Sequence, residues 1–155
     1  MNKKIKLNIS TCPNDTFMFD AFINDKLSVI KDKFKNCFQL DLIDIEELNN
    51  RVEMSIPDIS KVSFFALFNN LKKYTILKSG AALGRNCGPL VIRNNKTENR
   101  NNLIESINDL KNKRIAIPGK NTTAFLLFNI FVGKENMKTL DIHEEVFSDI
   151  MPKVP

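Results

Sequence analysis

Arg114 to Phe131, RIAIPGKNTTAFLLFNIF, carries the reading of the fold. Arg114–Ile117 is a short apolar, β-branched run of the kind that fills a buried strand. Pro118-Gly119 ends it, and Asn121, Thr122 and Thr123 are suited to cap a helix whose apolar residues run from Ala124 to Val132. A strand, a glycine turn and a helix start leave backbone N–H groups unpaired at the positive end of a helix dipole. Such a turn is suited to a carboxylate or a phosphate. The stretch therefore predicts an α/β fold with a small anionic ligand.

The same alternation runs outward in both directions. Ile5–Ile9 and Phe38–Ile45 alternate as strands, Asp58–Ser63 is a third, Tyr74–Lys78 a fourth, and Gly88–Arg93 (GPLVIR) a further one. Between them lie helical stretches from Thr16, over Glu46–Met54, and from Phe64 to Leu71. Residues 94–102 (NNKTENRNN) are almost wholly polar and predict a linker. Leu103–Leu110 reads as a helix before the strand at Arg114. Thr139–Val146 reads as a strand after a turn over Gly133–Lys138, and Phe147 begins a helix that stops at Pro152.

Strands alternating with helices imply a mainly parallel sheet with right-handed crossovers. The predicted organisation is a first α/β domain over 1–93, a linker over 94–102, and the start of a second over 103–155. The second has too few strands to bury both faces of a sheet, so the chain reads as cut short. Ligands of such sheets sit beyond the carboxyl ends of the strands. Thr11–Thr16, Ser60–Ser63, Ser79–Gly84 and Gly119–Ala124 are expected to converge there.

Composition narrows the function classes. A chain of 155 residues suits one ordinary domain, and 43% apolar residues suffice for its core. The net charge of +5 comes with acidic residues interleaved nearly everywhere, which speaks against a nucleic-acid stripe. Twelve Phe, one Tyr and no Trp fit core packing better than a base-stacking platform. Cys12, Cys37 and Cys87 show no C-x-x-C spacing and His143 is the only histidine, so no metal site is expected. Free thiols, no signal h-region and no membrane-length apolar run predict a cytoplasmic protein without a membrane partner.

Each motif has a plainer reading. Gly119-Lys120-Asn121-Thr122 resembles the tail of a P-loop, but Arg114 stands where the first glycine belongs and Asn121 follows the lysine. Asn14 or Asp15 is suited to cap the first helix. Cys12 lacks an evident base and does not read as a nucleophile. Lys61 lies in an otherwise interior strand, where a charge needs a partner or solvent. Ser79–Gly84 reads as a glycine-rich turn, and His143, among Asp141, Glu144 and Glu145, reads as exposed.

Taken together, Thr11–Phe17 (TCPNDTF), Glu46–Asn49 (EELN), Asp58–Ser63 (DISKVS), Ser79–Arg85 (SGAALGR) with Gly88-Pro89-Leu90, Ile117–Ala124 (IPGKNTTA) and Asp149–Pro152 (DIMP) resemble, in order and spacing, the 1,4-dihydroxy-6-naphthoate synthase family. The resemblance covers the whole chain. It implies a two-domain fold like the type II periplasmic solute-binding proteins, used in a cytoplasmic enzyme. It implies a carbon–carbon lyase of the futalosine route to menaquinone, acting on cyclic dehypoxanthinyl futalosine with no metal or organic cofactor. Substrate contacts carried over from the family fall on Lys61, Val62, Ser63, Thr123 and Ala124, with Thr122 and Asn14 beside them. The family's proton-abstracting histidine follows the Ile-Met-Pro block and has no counterpart among these residues, so no catalytic residue is assigned and these residues alone are expected to be inactive. The alternative is a small-carboxylate binder of the same fold. The related chorismate dehydratase is disfavoured by the CPNDT and SGAALGR blocks.

Overall fold

The computed structural model describes residues 3–24, 26–27, 37–86, 88–93 and 104–146. Their strands form two parallel sheets, which bears out the α/β class. In the first, β1 (Ile5–Ser10) lies between β2 (Phe38–Ile43) and β3 (Ile59–Ser60), with Leu7 opposite both Leu40 and Ile59. In the second, β4 (Arg114–Ile117) pairs with β5 (Asp141–Glu144), placing Ala116 opposite His143 and Ile117 opposite Glu144.

A strand paired on both edges is buried along its length, and Leu7 to Ser10 are all buried. Leu7 and Ile9 point to one face and Asn8 and Ser10 to the other, by the two-residue period of a strand. Over β1 packs α2 (Ile45–Glu53), which buries Leu48, Asn49 and Val52 on one stripe. Its ends explain its limits. Asp44 caps it, the carboxylate accepting from the Glu46 N–H at 3.1 Å, while Glu46 and Glu47 sit in the positive first turn. Arg51, in the last turn, donates to Glu47 one turn back at 2.8 Å and to Asp41 of β2 at 3.1 Å.

Four further helices complete the frame. Helix α1 (Pro13–Ile23) starts at Pro13, not Thr16 as expected, with proline in the first turn, where its missing N–H costs nothing. Helix α3 (Phe64–Asn70) follows β3 and packs on α2. Helix α4 (Thr123–Val132) begins where the opening stretch predicts, capped by the Thr122 hydroxyl, which accepts from the Phe125 N–H at 3.3 Å. It packs on α3 and so joins the two sheets' layers, before a short α5 (Lys134–Met137).

Several expected elements differ. The strand over 139–146 shortens to β5, and the turn over 133–138 contains α5. In place of the helix expected over Leu103–Leu110, the described residues form a 3-10 turn at Ile107–Leu110, closed by Ser106 and Asp109. The Asp109 carboxylate accepts from the amides of Glu105 and Ser106 and from the Ser106 hydroxyl. These bonds, the Glu105 amide foremost, hold its pKa below the ordinary carboxylate value.

The expected strands at Tyr74–Lys78 and Gly88–Arg93 form no regular element and are unpaired, and Leu90 and Ile92 are 85% and 83% exposed. Apolar, β-branched residues give a segment the capacity to pair, but a strand also needs a neighbour, and no described residue supplies one. What fixes the first segment is Tyr74, whose hydroxyl donates to the Pro57 carbonyl at 2.8 Å. Burial there, and secondarily the Asp58 charge, raises its pKa. The expected helix from Phe147, the Asp149–Pro152 block, Cys87 and the whole 94–102 linker lie outside the described residues.

Candidate functional site

The carboxyl ends of β1 and β3 meet in a buried ion pair. Asp15 does not cap its own helix, as its position suggested. Its side chain turns back to β1, where Oδ2 accepts from the Ser10 hydroxyl at 2.6 Å and the Ser10 N–H at 3.2 Å. The other oxygen takes the Lys61 ammonium at 2.6 Å. The Asp15 side chain is 2% exposed and that of Lys61 26%, so the carboxylate lies deep and the lysine reaches it from a wetter edge. The charge of Lys61 thus has the partner that an interior lysine requires. Asn14 lies exposed beside it, at the start of α1.

Beyond Lys61, the chain runs through half-buried Val62 to Ser63, the residue before α3. Buried Asn49 fixes Ser63 from below. Its Oδ1 accepts from the Ser63 N–H at 3.0 Å, and its Nδ2 donates to the Ser63 hydroxyl at 3.2 Å. The same Nδ2 donates to Glu46 Oε2 at 3.1 Å. Residues three apart share a helix face, which is why Glu46 and Asn49 act together.

Glu46 then spans to the turn before α4. Its carboxylate accepts from the Asn121 N–H at 3.0 and 3.2 Å and from the Asn121 side-chain amide at 2.9 Å. Gly119 leaves the space for it. A Cβ there would overlap Cδ and Oε2 of Glu46, and the φ of +139° is itself one that other residues rarely adopt. One part of the opening expectation is therefore corrected: the Asn121 amide is not unpaired, because a carboxylate of this chain already fills it.

The rest of the helix start remains open. The Phe65 N–H donates to the Thr123 hydroxyl at 3.3 Å, bringing the beginnings of α3 and α4 side by side. Among the described residues no acceptor meets the amides of Thr123 and Ala124. The hydroxyls of Ser63 and Thr123 each accept one protein N–H, which leaves each O–H able to donate outward. Thr122 is buried and occupied, its hydroxyl donating to the Gly119 carbonyl at 2.7 Å. The adjoining starts of α3 and α4 are thus a cluster of donors.

One expected participant, the 79–84 loop, shows no contact with these donors, and His143 is exposed as expected. The 79–84 loop touches α1, Gly80 lying against Met18, while Leu83 is 82% exposed. His143 is half-exposed on β5, 2.9 Å from Asp141. It shares a strand face and an open concavity with Arg114, Ala116 and Glu145, on the face opposite Ile117. The residues that sequence reading did not assign to the site are Glu46 and Asn49. Their signal was the Glu-Glu-Leu-Asn block, whose spacing places both on one helix face.

The geometry can be set beside known proteins. A profile described as menaquinone biosynthesis matches residues 5–155. The chain belongs to the menaquinone-biosynthesis family. Within the family it is similar to two proteins named 1,4-dihydroxy-6-naphthoate synthase. That of Streptomyces coelicolor is 31% identical over 97% of this chain and 48% of its own length. That of Thermus thermophilus is 32% identical over 82% of this chain and 41% of its own. The chain spans about half the length of the curated relatives it matches. A crystal structure of an Archaeoglobus fulgidus protein superposes with a TM-score of 0.73 at 28% identity, over 95% of this chain and 48% of that one. The resemblance drawn from the ordered sequence blocks is thus borne out. No helix among the described residues is long and apolar enough to cross a membrane.

Proposed function

We propose that the cleft between the starts of α3 and α4 binds the carboxylate of a small aromatic substrate, and that the whole protein is a 1,4-dihydroxy-6-naphthoate synthase. In this reading it is a cytoplasmic carbon–carbon lyase of the futalosine pathway that converts cyclic dehypoxanthinyl futalosine to 1,4-dihydroxy-6-naphthoate. Its architecture is a two-domain, type II periplasmic-binding-protein-like fold, with one unit over 1–93 and the next opening after the 94–102 linker. The observation that carries the reading is that Ser63 and Thr123, whose hydroxyls each accept one protein N–H and keep an O–H to donate, stand at adjoining helix starts with the open amides of Thr123 and Ala124. Substrate and product both carry an aromatic carboxylate, which suits hydroxyl and amide donors at the positive end of a helix.

Lys61 contributes through placement more than contact, since Asp15 takes its ammonium at 2.6 Å. Val62 lends apolar surface, Thr122 holds the turn, and Asn14 lies at the rim. A binding-only role for these residues is the second reading. A general base must reach the proton it removes, and His143 stands paired with Asp141 on an exposed strand face. Incubating the 155-residue chain with cyclic dehypoxanthinyl futalosine is expected to give no release of 1,4-dihydroxy-6-naphthoate by chromatography. Turnover that His143→Ala abolishes would overturn the reading of that histidine.

A further inference from the structure

The α4 turn holds two kinds of acceptor position, one filled and one open. The filled one is the Asn121 amide, where Glu46 is held by four contacts: two from the Asn121 N–H, one from its side-chain amide and one from Asn49. The open one comprises Thr123 and Ala124 with the Ser63 hydroxyl. A single nitrogen, Asn49 Nδ2, bridges Glu46 to Ser63, at 3.1 and 3.2 Å. A fixed negative charge therefore stands one side chain away from the donors that face the cleft. Thr122 already caps the helix, so Glu46 is not needed for that task.

We propose that Glu46 is a specificity-determining residue of this site, admitting a singly charged carboxylate and rejecting a doubly charged phosphate ester. The proposal rests on the reading of the cleft given above. A bare glycine turn at a helix start favours phosphate, as in nucleotide-binding loops. Here a carboxylate anchored in the turn takes up its outermost donor and adds repulsion that grows with ligand charge. At a partly shielded site, one further unit of like charge a few ångströms away weakens binding on the order of tenfold to a hundredfold. Phosphate esters are nearly doubly charged above pH 7, whereas a carboxylate carries a single charge.

The test compares two fluorescent probes of one aromatic shape, 2-naphthoate and 2-naphthyl phosphate, titrated into the 155-residue chain at pH 7.5. The wild type is expected to prefer the carboxylate by at least about tenfold. Glu46→Gln, close in shape but uncharged, is expected to reduce that preference by about tenfold. Glu46→Asp keeps the charge and is expected to retain most of the preference. Circular dichroism establishes folding, and where the glutamine variant does not fold, Glu46→Met is expected to show the same fall. A preference unchanged in the neutral variants, with naphthoate still bound, overturns the role of Glu46 alone. Failure of the wild type to bind naphthoate overturns the reading of the cleft, and this proposal with it.

Discussion

Replacing Lys61 with methionine is expected to cost about 3–5 kcal/mol of folding stability at neutral pH, and more than replacing Asp15 with alanine. The two ends of the pair are not equivalent. Asp15 is 2% exposed and has no route to water, so loss of the ammonium leaves a buried charge held only by Ser10. Lys61 is 26% exposed and carries a long stem, so after Asp15→Ala its ammonium can turn toward solvent. That variant strands the Ser10 N–H and hydroxyl, which costs about 1–3 kcal/mol. Urea denaturation of both variants measures the order. A larger loss for Asp15→Ala would mean that the pair is governed by its serine bonds instead of its charge.

Gly119→Ala is the second large effect. The added methyl group would overlap Glu46, so the carboxylate must leave its donors or the turn must shift. Displacing a charge-assisted bond costs about 1.5–3 kcal/mol, and holding alanine at this φ costs about 1–3 kcal/mol more. The expected total is about 3 kcal/mol or above. In a Glu46→Ala background only the backbone share remains, so the two substitutions should couple by at least about 1 kcal/mol in a double-mutant cycle. Strict additivity would show that Glu46 does not seat against Gly119 in solution.

The sequence made some of this legible and hid the rest for a physical reason. Ile5–Ile9, Glu46–Met54 and Thr123–Val132 could be read because their signals are local: alternation, caps and turn residues within a few positions. Ser63 and Thr123 were reachable because the chain resembles a family whose ordered blocks contain them. Glu46 was not, because its partner Asn121 stands 75 residues away and no local pattern announces such a bond. Asp15 was misread for the same reason: at a helix start it looks like a cap, yet its partners are Ser10 and the distant Lys61. Tyr74–Lys78 and Gly88–Arg93 have the composition of strands, but composition cannot supply the neighbour that makes one.

The pairing of α3 and α4 starts is the centre of the account, and an amide-resolved NMR titration with 2-naphthoate tests it most directly. The largest shifts are predicted at Ser63, Thr123 and Ala124, with Asn121 moving less because Glu46 already holds its amide. Largest shifts at Arg114, Ala116, His143 and Glu145, around the concavity on the β4–β5 face, would place the ligand elsewhere and contradict the account.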